Sequence, residues 1–276
     1  MSRRLPCDDR AVPYFDRIAD DVFTPTAHVG GAWNLEEQHV GPSFGLLCHL
    51  VERDHADRRG PQDRLDVTRL SYDILGTLAM DRFEVAVRVL RAGRTIELVE
   101  ATLTQGGRAA VVLRAWLVVP GDTASYAGTG LADLAAPDTM PAWDPTTVWA
   151  GGFIASVRVR RQQQAPGRAA YWVRTDVPLL DEPVGPTAAA AGLVDIANGM
   201  TVRADPGAVT FPNLDLTAHL VRPPRPGWLG FDTSVTFGAT GHGLTSTTLH
   251  DEAGPIGTLA QVLTVRPRTP VVPSSP

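Results

Sequence analysis

The chain contains no lysine: all 25 of its basic residues are arginine. They are scattered, and the nearest approach to a basic patch, Arg158, Arg160 and Arg161, has no aromatic residues interleaved with it. That distribution argues against a nucleic-acid partner, whose phosphates need clustered cations. Cysteine is nearly absent too. Cys7 and Cys48 are the two present, with no spacing that suits a metal and no framework for a disulfide. No run of 18 apolar residues occurs, so no membrane-spanning helix is expected. Met1 to Asp21 carries early charges, Pro6 and Pro13, and no apolar stretch, so it does not read as a signal peptide and a cytoplasmic location is expected. Charged residues make up 20% of the chain and hydrophobic ones 43%, enough for a packed core.

What is present is a repeat. Gly41-Pro42-Ser43 and Gly185-Pro186-Thr187 each open a helix-like stretch, 144 residues apart. Proline just inside a helix start loses nothing, because its missing N–H would have had no intrahelical partner. Strand-like stretches beginning at Leu65 and Phe211 follow at an offset of 146, and long hairpins around Gly107 and Gly254 match at 147. Three landmarks at nearly constant offset mark a tandem duplication. The expected organisation is one unit over 1–120, a linker over 121–152, a second unit over 153–267 and a proline-rich, disordered or extended tail. Each unit reads as one central helix followed by about four antiparallel strands, with a further strand before the helix. In the clearest strand Phe83, Val85, Val87 and Val89 alternate with Glu84, Ala86 and Arg88. An antiparallel sheet with a single helix must bury its apolar face on that helix. The expected fold class is therefore α+β, a tandem (double) hotdog in which each sheet wraps a helix.

The second helix is expected over Gly185 to about Asn198, with Asp195 on a side built from Ala188, Ala191, Gly192 and Gly199. A carboxylate among such small neighbours has space beside it. Gln261 shares a strand face with Leu259, Leu263 and Val265, where a lone amide needs partners. On the strand from Phe211, alternation puts Asn213, Asp215, Thr217 and His219 on one face, expected to meet solvent. Asp215 and His219 do not make a dyad, since four residues along a strand span about 13 Å. His39, His49, His242 and His250 show no metal-ligand spacing and receive no role. Gly238, Gly241 and Gly243 read as turn residues.

The helix bearing Asp195, the strand Asn213 to Pro223 and the final strand Thr258 to Pro267 resemble the TesB-type double-hotdog acyl-CoA thioesterases, over about residues 23–267. The resemblance implies hydrolysis of acyl thioesters by a water held between an Asp on the second helix, a Thr or Ser on the next strand and a Gln on the last strand. Matched residue by residue, these are Asp195, Asn213 and Gln261 as catalytic residues, with Asn213 standing where the family has a hydroxyl. Backbone N–H groups at a helix start would polarise the carbonyl. Gly192, Asp215 and His219 are the expected substrate-binding residues. The offsets place Val51, Val67 and Arg114 in the corresponding positions of the first unit, with Glu52 adjoining Val51, so one working site is expected. No metal or redox cofactor is implied, CoA being part of the substrate. The expected partner is acyl-CoA or an acyl-carrier thioester, with exposed sheet edges suited to a homo-oligomer. Two alternatives remain open: a hotdog lyase or cyclase that tailors a thioester-bound intermediate, which Asn213 favours, and a non-catalytic acyl-CoA-binding protein.

Overall fold

Alternating burial writes most of the strands. Phe83 and Val85 are buried while Glu84 and Ala86 are exposed, so each strand offers one apolar face. The computed structural model describes residues 11–268; Cys7 and the prolines beyond Arg268 lie outside them. In chain order the first half contributes β1 (Phe15–Arg17), β2 (Val22–Pro25), α1 (Val40–Arg58), β3 (Asp66–Ile74), β4 (Phe83–Arg91), β5 (Ile96–Gln105) and β6 (Arg108–Val118). The segment between the halves supplies β7 (Ala142–Trp143) and α2 (Gly152–Ala155). The second half follows with β8 (Val157–Ala165), β9 (Arg168–Thr175), α3 (Pro186–Ala191), β10 (Val209–Thr210), β11 (Asp215–Leu220), β12 (Leu229–Phe237), β13 (His242–Asp251), β14 (Gly254–Thr264) and β15 (Arg266–Pro267).

Thirteen strands form one antiparallel sheet in the order β1-β2-β4-β5-β6-β3-β11-β14-β13-β12-β9-β8-β7. Read outward from its centre, β3-β6-β5-β4-β2 mirrors β11-β14-β13-β12-β9. The halves are thus related by a pseudo-two-fold axis through the β3–β11 pair. Ser71 is paired with Thr217 there, the two residues differing by the same 146 that separates the repeats. Their hydroxyls meet at 3.1 Å.

The sheet wraps two helices. Every residue of α1 from Gly41 to Val51 is buried, and α3 packs along it. A Cβ built at Gly45 would stand 2.9 Å from Gly192 Cα and from the Ala188 carbonyl oxygen, so only glycine allows this approach. The second helix does not run unbroken to Asn198. It stops at Ala191, Gly192 caps it, and a separate 3-10 turn covers Val194–Ile196. α1 runs much further, to Arg58. Arg58 pairs with Asp54 at 2.8 Å across one turn, and the last turn reaches Glu97, a fully buried carboxylate bound by His55, Arg58 and Arg59.

Three local features complete the fold. The stretch from Phe23 is a strand only to Pro25, after which Ala27–Val29 form a 3-10 turn capped by the Thr26 hydroxyl. Arg266 and Pro267 are ordered as β15, paired with β10. Within the segment joining the halves, Trp149 is buried and its indole donates to the Gly199 carbonyl at 2.8 Å. Among the described residues, no helix is long and apolar enough to cross a membrane.

The helix crossing yields a test. Alanine in place of a mid-helix glycine ordinarily stabilises by up to about 1 kcal/mol. At Gly45 the overpacking against backbone, about 1–3 kcal/mol, outweighs that gain. Gly45→Ala should lower the melting temperature by several degrees, whereas Gly60→Ala, with nothing within 4 Å of the new methyl, should not. Equal melting temperatures for both variants would mean the helices do not meet here.

Candidate active site

The site begins with a slip in a strand. Between the pairs Thr217–Ala260 and Asn213–Leu263, the β11 side advances four residues while β14 advances three. Leu214 is the extra residue of a β-bulge, and a one-residue slip sends every side chain beyond it to the opposite face. Leu216 and Ala218 therefore face the core, but below the bulge Leu214 turns outward, half exposed, and Asn213 turns inward. The polar face expected to meet solvent is split: Thr217 and His219 stay outside, and Asn213 does not.

Asn213 Nδ2 donates to Asp195 Oδ1 at 2.8 Å and to the Asp215 carbonyl at 3.1 Å. Gln261 Nε2 donates to the same Asp195 oxygen at 3.2 Å. The 3-10 turn after α3 carries Asp195, β14 carries Gln261, and both side chains are almost fully buried. The structure thus brings Asp195, Asn213 and Gln261 together. Both amides converge on Oδ1, which leaves Oδ2 turned toward His39, whose Nδ1 is 3.7 Å away. Gln261 Oε1 is buried and has no hydrogen-bond partner among the described residues.

A cavity of about 600 Å³ reaches Asp195 and Asn213. Its walls come from both halves: residues 31–34, 37–40 and 74–78 from the first, and Asp195, Asn198, Thr210, Pro212, Asn213, Leu214 and Arg268 from the second. Trp33, Val40, Ile74, Leu75, Leu78 and Leu214 give it an apolar wall, and among the described residues Arg268 is the one arginine that lines it. The start of α1 borders it at His39 and Val40. The first N–H groups of a helix lack intrahelical partners; that of Gly41 is taken by His39 Nδ1 at 3.1 Å.

The residues expected to bind substrate lie elsewhere. Gly192 is spent on the close approach to Gly45. Asp215 accepts the Val262 backbone N–H at 2.7 Å, filling the position that the bulge leaves without a backbone carbonyl. His219 is exposed on the outer face of β11. None of the three lines the cavity. In the first half, Val51 is buried in the core, and Glu52 enters a second cavity instead. Arg114 points outward to Glu100; the inward position is that of Ala115.

His39 and Asn198 were invisible to sequence spacing. Asn198 is nearly buried and its amide faces the Phe211 carbonyl. His39 had one signal, its place directly before the Gly41-Pro42-Ser43 helix start, but nothing in the sequence puts that start beside a residue 156 positions later.

Electrostatics follow from burial. Burial pushes the Asp195 carboxyl up to about 7, against the hydrogen bonds of Asn213 and Gln261 that pull it down. Burial pushes the His39 imidazole down to about 4. His39 is therefore neutral near pH 7, with Nδ1 accepting from Gly41 and the ring proton on Nε2, and its contact with Asp195 is not an ion pair.

The family model described as acyl-CoA thioesterase N-terminal domain matches residues 29–118, and that described as acyl-CoA thioesterase C-terminal domain matches 130–265. Among solved structures, the chain is similar to an acyl-CoA thioesterase II, TesB2, from Mycobacterium marinum (17% identity, 94% of this chain, 97% of that one, TM-score 0.65). It is also similar to the tesB protein of Mycobacterium avium subs paratuberculosis (16%, 92%, 96%, 0.62). A third is a conserved hot dog fold protein of unknown function from Alicyclobacillus acidocaldarius (14%, 92%, 96%, 0.70). At these identities the solved structures share the fold. No curated protein matches the sequence.

The raised Asp195 carboxyl predicts how stability depends on pH. Below its ordinary value of 3.8 the group is protonated in both folded and unfolded chains. As pH rises toward about 7 the unfolded chain releases a proton that the folded one retains, so stability falls, and above 7 the full cost of a buried anion remains. Asp195→Asn removes that cost. The variant should unfold at higher denaturant than the native chain at pH 8, by roughly 1–3 kcal/mol, with little difference at pH 4. An equal margin at both pH values would rule out a raised carboxyl.

Proposed function

Because this chain belongs to the acyl-CoA thioesterase family, with the TesB-type double-hotdog fold, we propose that it hydrolyses acyl-CoA with Asp195 as the general base. The observation that carries this reading is the asymmetric clamp on the carboxylate. Two amide N–H groups hold Oδ1, and Oδ2 is left to meet a water from the cavity. A base whose carboxyl titrates near 7 is suited to proton transfer at neutral pH.

The attacking water gives one proton to Asp195 Oδ2 as its oxygen bonds to the thioester carbon. Its other O–H satisfies Gln261 Oε1, an acceptor otherwise stranded at a cost of about 1–3 kcal/mol. The carbonyl oxygen becomes an oxyanion facing the first turn of α1, where the Val40 N–H is the donor at hand. Collapse breaks the carbon–sulfur bond, and the departing thiolate recovers the proton from Asp195, leaving a carboxylic acid and a free thiol. Asn213 acts here on Asp195 and not as a hydroxyl relay, since both of its amide protons are already donated. The apolar wall from Trp33 to Leu78 receives the acyl chain, and Arg268 offers a cation to the charged portion of the substrate.

Free-thiol release from short, medium and long acyl-CoAs tests the proposal. Asp195→Asn should lower the rate about 10²–10⁴-fold. Native kcat/KM should rise with pH around a midpoint near 7. Gln261→Ala should lower kcat and move that midpoint upward, because a hydrogen bond that favours the carboxylate is lost. Unchanged thiol release by Asp195→Asn would overturn the assignment of the base.

A further inference from the structure

The pseudo-two-fold axis gives the Asp195 cavity a counterpart. A second cavity, about 720 Å³, opens where the C-terminal half of α1 meets the start of α3. It corresponds to the first in detail. The register shift between Val67 and Arg69 opposite β6 repeats the bulge opposite β14, with Thr68 as the extra residue where the second half has Leu214. Val67, offset by 146 from Asn213, likewise faces inward. Pro183 precedes Gly185-Pro186-Thr187 as His39 precedes Gly41-Pro42-Ser43, and both line their cavities.

Each cavity also receives a carboxyl beside the start of a helix, Asp195 of the 3-10 turn beside α1 and Glu52 of α1, one position past the counterpart of Asp195, beside α3. Glu52 is packed so closely on the start of α3 that a Cβ at Gly185 would stand 2.8 Å from its Oε2. Burial pushes this carboxyl up to about 7, against Arg64 and Thr187, which pull it down. What the second cavity lacks is the amide pair. Val67 occupies the place of Asn213. The pair Ser71–Arg114 repeats Thr217–Ala260, so Ala115 occupies the place of Gln261. Neither Val67 nor Ala115 can hydrogen-bond a carboxylate oxygen or a water as Asn213 and Gln261 can.

We propose that the Glu52 cavity is a second acyl-thioester-binding site, one that holds its ligand without hydrolysing it. The proposal rests on reading the Asp195 cavity as a thioester site. Leu65, Val67 and Leu117 supply an apolar wall for an acyl chain, and Glu52 in its protonated form donates to a thioester carbonyl. Arg53 and Arg64 stand exposed at the mouth, where phosphoryl groups would find them. Arg53 pairs with exposed Asp57 and lies 4.0 Å from Glu182, and Arg64 pairs with the half-buried Asp66; both guanidinium groups are themselves exposed, so these pairs are weak enough to exchange.

Calorimetric titration with non-hydrolysable thioether analogues of short, medium and long acyl-CoAs decides the matter. The native chain should bind two equivalents of at least one analogue. Ala56→Trp, which fills the mouth of the second cavity from an exposed position of α1, should bind one and keep thiol release within about twofold of native. Glu52→Gln should weaken one of the two equivalents and leave the other. One equivalent or none at every chain length, or two retained by Ala56→Trp, overturns the proposal. Thiol release by the native protein is read separately: two equivalents without any thiol release would sink the hydrolytic reading and leave the second site standing, and thiol release with one equivalent would do the reverse.

Discussion

The β3–β11 ladder is the constraint on which the rest of the molecule depends. Antiparallel pairing of two repeats at equivalent residues, Ser71 on Thr217, forces a two-fold relation on everything attached to those strands. It joins the two half-sheets into one and lays α1 and α3 side by side beneath it. The helices can then approach closely only where Gly45 meets Gly192. Once they do, the start of α1 lies beside Asp195, on the turn that follows α3, and the start of α3 lies beside Glu52 of α1. Both cavities are therefore products of the junction, and neither half encloses one from its own residues.

Two buried carboxylates show how surroundings separate structure from chemistry. Glu97 is fully buried, and burial alone would raise its carboxyl. Hydrogen bonds from Arg58 and His55, with the charges of Arg58 and Arg59, hold it down at about 2 instead. It is a permanent anion that ties the end of α1 to β5. Asp195 is buried almost as deeply but meets two neutral amides and a neutral imidazole. Hydrogen bonds without a counter-charge do not offset the loss of water, so its carboxyl rests near 7. The same lack of a cation that weakens the fold around Asp195 suits it to exchange protons at neutral pH.

Much of this was legible in the sequence. The duplication, the two helix starts and the alternating strands follow from local rules, because proline at a helix start and period-two burial express themselves over a few residues. Gln261 on an apolar face was likewise visible as an amide in need of partners, and Asp195 supplied one. Asn213 was harder. Alternation placed it with Asp215 and Thr217, and only a bulge at Leu214 turns it inward. A bulge depends on what the neighbouring strand does, and Asp215 stabilises it through the Val262 N–H in a way that spacing does not express.

The sequence by itself determined a tandem hotdog and its central helices, since propensity, capping and periodicity act within one element; the space beside Asp195 comes from other elements, because Ala188, Ala191, Gly192 and Gly199 do not line its cavity. The tertiary structure decided which side chains meet across elements. It set His39 beside Asp195, sent Asn213 inward, moved Gly192, Asp215 and His219 out of the cavity and put Glu52 into another. Those outcomes depend on register and on the pseudo-two-fold axis, and a one-residue slip in register exchanges the inside of a strand for its outside.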